Sequence, residues 1–331
     1  MKSRIKKLLA AALALCLIAA LVPGAALAAG TPTGNFSTPT KGATETKTYH
    51  ATLAEAIEYV SDFSTEANKV VTVEANSVEI SGTISGVTLN ANGKDLIVNN
   101  NLAVGCKIEN AGDIDVNANL TVNNGGSLEF SGTMDVATNV VVAVQGTLVN
   151  NGSIVLATGS SSNRNTALNV TGTMSGSGDI TVGTNASAAL PAGIEMSGDL
   201  INHGAVTMTG TLTTTGTINN SGSMTANIEA EGSSEITNSG TISGTVIVDD
   251  DASLTLAGDN AKVDNLTING TLTVTGTHEF TGNALTLNER GVLEVSSSAK
   301  VTLPNNYSFA GTINVDGGIL IIGSNEKVGS N

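Results

Sequence analysis

Gly198-Asp199-Leu200-Ile201-Asn202-His203-Gly204-Ala205-Val206-Thr207-Met208-Thr209-Gly210-Thr211-Leu212-Thr213-Thr214-Thr215-Gly216-Thr217-Ile218-Asn219-Asn220-Ser221-Gly222-Ser223-Met224 decides the fold. An apolar residue returns every six positions, at Leu200, Val206, Leu212, Ile218 and Met224, and a glycine stands two places before each. The beat continues through Ile236, Ile242, Val248, Leu254, Leu266 and Leu272, with Ala230 and Asn260 as its weak members. Gly204, Gly222, Gly240 and Gly258 mark a repeat of eighteen. Upstream the repeat is twenty, as Ile108, Leu128, Leu148 and Leu168 show, together with Ile114, Met134, Ile154 and Met174. Fixed periods of this size indicate a solenoid, in which each coil buries its apolar face only against its neighbours.

The units between beats are short strands broken by Gly, Asn and Ser, so the expected fold is all-β: a single-stranded parallel β-helix of 18–20 residues per coil. The irregular steps and a helical start favour the right-handed form. Glycine before the inward residue is expected to turn the corner with positive φ. Asparagine suits the same corners, and asparagines stacked in register, such as Asn150, Asn219 and Asn238, can bond from coil to coil. About twelve coils at about 4.8 Å each make a rod of roughly 60 Å. With no Trp, three Tyr and five Phe, the core must be filled by stacked aliphatic side chains.

Lys2, Arg4, Lys6 and Lys7, the apolar run Leu8 to Val22 and Ala26-Leu27-Ala28 read as an export signal over 1–28, cleaved after Ala28. Leu15 before Cys16 argues against a lipoprotein. Residues 29–47, with Thr31-Pro32-Thr33-Gly34 and Thr38-Pro39-Thr40, read as a flexible linker. An N-terminal cap spans 48–77: Thr52 and Glu55 form a capping box, Leu53, Ala56, Ile57 and Val60 share one helical face, and Val70–Val73 is a strand. The coils occupy 78–323 and a tail 324–331. The expected location is extracellular or on the cell surface, with no membrane span after signal cleavage.

Removal of the signal's four basic residues takes the net charge from −15 to −19, which argues against nucleic acid as a partner. Cys106 is then the single cysteine, a small core residue with no internal partner.

The Thr52-Leu53-Ala54-Glu55-Ala56-Ile57 helix leading to Val70–Val73 resembles the opening of the pectate-lyase-like, right-handed parallel β-helix superfamily. The Gly-Thr-Leu and Asn-x-Gly-Thr-Ile units resemble passenger regions of bacterial adhesins. The resemblance covers roughly 48–323 and implies the fold; enzymes, adhesins and inert stalks all use it. An enzyme of this superfamily would bring carboxylates and a basic residue to one face. Arg164 and Arg290 lie far apart in the chain, and His50, His203 and His278 are scattered, so no catalytic residue carries over. No cofactor is implied. Asp249-Asp250-Asp251 is the one dense acidic run and the one Ca²⁺ candidate, on a corner before Leu254. Asp113 with Asp115, and Glu129 with Asp135, are weaker versions. Threonine pairs such as Thr207/Thr209 do not recur in each coil as an ice-binding plane requires, since Thr225 and Asn227 follow them. Tyr49, Tyr59 and Tyr307 sit toward the ends and build no aromatic platform for sugars.

The sequence therefore points to a non-catalytic surface or extracellular-matrix protein. Its partner would be a glycan or protein of a cell surface or matrix, with end-to-end self-association through an open coil. A polysaccharide lyase or hydrolase, and a stalk or piece of a longer adhesin, are the alternatives.

Overall fold

The computed structural model describes residues 34–42, 46–160, 165–259, 261–280, 285–303 and 308–322. The chain is a parallel β-solenoid of about 12 turns. Its strands form sheets of 19, 13 and three members. Leu200, Ile218, Ile236, Leu254 and Leu272 stack in register in the 13-stranded sheet, each eighteen residues from the next. Side chains alternate along each strand: in Ser253–Leu256 the two leucines are buried and Ser253 and Thr255 are half-exposed. The 19-stranded sheet bends round a corner of the coil. Its long strands Ala205–Thr214 and Ser223–Ala230 shift register between Thr207 and Thr211. The core is one continuous cluster, mostly Leu, Ile, Val and Ala with a few Phe and Met such as Phe130 and Met134. Each fully buried aliphatic side chain contributes about 1.5–3 kcal/mol.

The glycine beat has a different cause from the expected one. Of the glycines spaced by six from Gly198 to Gly222, Gly210 has positive φ, at 112°. Gly222 is needed because the coils touch. A Cβ there would lie 2.2 Å from the carbonyl oxygen of Gly204 in the coil before. Asparagine does take left-handed corners, at Asn92, Asn110, Asn139 and Asn185.

The twenty-residue series also needs correction at its end. Leu148 pairs with Met174, not Leu168; Val142 pairs with Leu168; and Ile154 pairs with Ile180. This coil is one hexad longer than its neighbours. A slip of six residues keeps every apolar side chain inward, so the periodic pattern cannot detect it.

The start of the rod is closed. Strand β1 (Phe36–Pro39) pairs antiparallel with β2 (Lys47–His50) on one side and with β3 (Val70–Val73) on the other. Five of the eleven described residues of 29–47, Phe36–Pro39 and Lys47, are therefore in sheet, correcting the linker reading. Breakers such as Pro39 are tolerated because Pro39 ends its strand, and Phe36 is buried against the first coil. Helix α1 (Leu53–Ser61) begins with the expected box: Thr52 Oγ1 accepts from Glu55 N at 3.3 Å, and Glu55 Oε2 accepts from Thr52 N at 3.2 Å. Ala56 and Val60 are fully buried. Four-residue β2, bearing Lys47, ends the sheet with a short charged edge that disfavours further pairing. The export signal 1–28, the tail 324–331, Arg164 and Tyr307 lie outside the described residues.

Candidate functional surface

The solenoid offers three features with chemical potential: an acidic corner, a notch around His278, and outward polar columns. The aspartate run does not act as a unit. Asp250 forms an ion pair with Arg290, two coils further on, and Asp251 is exposed on the turn. Asp249 turns instead toward Glu229 and Glu231, and carboxylate oxygens of these three lie within 4.8 Å of one another. All three are half-buried, and none joins an ion pair among the described residues. Glu231 and Asp249 are one coil of eighteen apart, so the repeat itself carried the signal that would have found this group. Beside it lies a shallow groove of about 400 Å³ lined by Glu195, Met196, Ser197, Thr213, Thr215 and Glu231. Asn269 donates to Asp249 at 3.4 Å, and Asn288 donates to Asn269 at 2.6 Å, which extends the corner as an amide ladder.

The weaker acidic pairs separate into structural roles. Asp113 accepts from the Thr133 N–H at 2.7 Å, and Asp95 from the Asp113 N–H at 3.2 Å, so each carboxylate caps the coil above it. Asp179 and Asp199 repeat the device toward Asp199 and Thr217. Asp115 and Asp135 stack as exposed ladder neighbours. Glu129 belongs to the 19-stranded sheet and stacks on Val149, away from Asp135.

The histidines lie in three separate places. His50 bonds Thr38 in the cap at 2.9 Å, and His203 Nδ1 lies 2.6 Å from Ser221 Oγ in an exposed pair on the next coil. His278 points into the core beside a notch of about 560 Å³, whose charged lining is Asp259, Lys262, Asp264 and Glu279. Burial pushes its titration down, while the carbonyls of Gly258 and Ala261 and the Asp259 carboxylate pull the other way. Cys106 is buried as expected, and desolvation pushes its thiol up to about 11.

The most extensive feature is the outer face of the 13-stranded sheet. One column runs Asn219, Thr237, Thr255, Thr273, and its neighbour Thr217, Glu235, Ser253, Thr271. No strand of this sheet contains Lys, Arg or His. No helix of the described residues is long and apolar enough to cross a membrane.

No family model matches the chain, and no curated protein matches it. A solved structure of a TibC-catalysed, hyper-glycosylated TibA fragment aligns with 77% of this chain and 96% of its own, at 15% identity and a TM-score of 0.28.

Proposed function

We propose that this protein is a non-catalytic extracellular rod that presents extended polar columns for adhesion or for a structural role in a matrix. The observation behind this reading is the outer face of the 13-stranded sheet, where hydroxyl, amide and carboxylate groups recur in register. A partner with its own repeat, such as a polysaccharide or an extended polypeptide, could bond to many equivalent sites at once. Many weak contacts at fixed spacing sum to avidity without any deep pocket. The capped start and stiff parallel stack hold that spacing constant.

The test is to express the chain from Ala29 and measure binding to immobilised pectins, alginates, other matrix polysaccharides and matrix proteins. In parallel, release of reducing or unsaturated ends is followed with and without Ca²⁺. Binding without turnover, weakened by disrupting the Thr237–Thr255–Thr273 column, supports the reading. Turnover of any substrate would replace it with the polysaccharide lyase or hydrolase alternative and direct attention to Glu229, Glu231 and Asp249.

A further inference from the structure

The three-stranded sheet starts late in the rod. Its first strand, Thr277–Glu279, pairs with Lys300–Thr302, which pairs with Ile319–Ile321. Among the described residues no strand pairs with the other edge of Thr277–Glu279; Asp259 of the preceding coil reaches it by accepting from the Thr277 N–H at 2.6 Å. The notch opens at this step. His278 is the inward residue of that first strand and is 6% exposed. In the two coils that follow, the same ladder position holds Val301 and Leu320. An imidazole therefore heads an otherwise aliphatic column. Its Nε2 is sealed from solvent and makes no well-formed hydrogen bond among the described residues, although the Gly258 and Ala261 carbonyls lie close enough to favour the protonated ring. Such a group is tolerated neutral, and adding a charge to it is far more costly.

We infer that His278 makes the last described coils acid-labile: its protonation opens the coils from Thr277 to Ile322 and leaves those before Asp259 folded. Two features confine the effect. Solenoid coils touch only their neighbours, and the third sheet begins at Thr277–Glu279, so opening it breaks no strand pairing of that sheet in the coils before it. These coils are already the less sealed ones, with Ile313 and Leu320 only partly buried and Val315, Ile319 and Ile321 exposed. The charged groups facing the ring do not act in one direction. Asp259 from the preceding coil, Asp264 from the adjoining strand and Glu279 from its own strand favour the imidazolium, while Lys262 opposes it, as does Lys300 on the following strand. Burial prevails and lowers the native titration. The open form thus binds the proton first, so these coils lose stability as pH falls below about 6.5 toward the depressed native value.

Amide hydrogen exchange of the chain from Ala29, corrected for intrinsic rates, reads this coil by coil. The two conditions are about pH 7.5 and about pH 5.5, the second below the ordinary histidine value and above the ordinary carboxyl range. The expected result is a severalfold loss of protection at the lower pH confined to residues 277–322, with residues 200–256 unchanged. His278→Val and His278→Leu, which copy the next two coils, should abolish the loss. Either of three results overturns the inference: no loss in the unsubstituted chain, a loss spread evenly along the rod, or the same confined loss in a substituted chain that retains its coils at the higher pH.

Discussion

Asn202 Nδ2 donates to Asn220 Oδ1 at 2.7 Å, and neither side chain has any solvent exposure. Asn220 passes the bond on to Asn238, again at 2.7 Å. The column continues as Val182 on one side and Leu256 on the other. Three buried amides thus interrupt an aliphatic stack, and each also ties down a corner: their Nδ2 groups reach the carbonyls of Ser223, Thr241 and Lys262 at 3.1, 3.2 and 3.0 Å.

Asn220→Ala removes the middle of this ladder and strands polar groups on both sides. A loss of about 2–4 kcal/mol is expected, since each buried group left unpaired costs about 1–3 kcal/mol. Urea unfolding followed by circular dichroism checks it. Replacing all three asparagines together by Val or Leu should cost less than three times the single change, because no amide of the ladder is then left facing a missing one and only the backbone partners, such as the Gly204 N–H and the Thr241 carbonyl, lose their bonds.

Gly222→Ala tests the stacking explanation for the glycine beat. Its Cβ would lie 2.2 Å from the Gly204 oxygen, which only separation of two coils can relieve, so a fall in urea midpoint well beyond that of ordinary surface changes is expected. Gly93→Ala is the contrast. That residue has φ of 71° but open space around the added carbon, so its cost should stay near the conformational penalty of about 1–2 kcal/mol.

Thr52→Ala breaks the capping box of α1 and should remove about 1 kcal/mol, a typical value for an N-cap. The change should be local. Faster proteolysis or amide exchange over 46–69 with unaltered coils downstream is the expected pattern.

Cys106 supplies a pH prediction. Its thiol is held protonated up to about 11 in the native chain, whereas an unfolded cysteine ionises near about 8.5. The unfolded form therefore releases its proton first. The thiol's contribution to stability is intact below about 8.5 and is lost as pH rises toward the native value. Alkylation by iodoacetamide at about pH 8 should be slow in the folded protein and fast in urea, since the thiolate is the nucleophile.

Glu231→Gln relieves repulsion among three carboxylates that lie within 4.8 Å. The expected effect is a gain of up to about 1 kcal/mol at low ionic strength, fading as salt is added. Thermal unfolding at two salt concentrations measures it.

The inward columns were legible along the chain. Leu200, Ile218, Ile236, Leu254 and Leu272 announce their stacking by spacing alone, because a strand's alternation and a fixed coil length leave one way to bury them. Thr52 and Glu55 announced α1 in the same local way. Asn220 was not legible. Asn219 and Asn220 are adjacent and chemically identical, yet one faces out and bonds nothing in the ladder while the other is buried within it.

The sequence by itself determined the solenoid, the core columns and the helical start, since each follows from local periodicity that survives whatever the neighbouring coil does. Only the tertiary structure decided the long coil between Ile154 and Ile180, the sheet built by Phe36–Pro39, the grouping of Asp249 with Glu229 and Glu231, and the burial of His278. Those depend on which coil lies against which. A six-residue beat matches equally well when shifted by one hexad, so that choice is made by contacts between coils that no single stretch of chain contains.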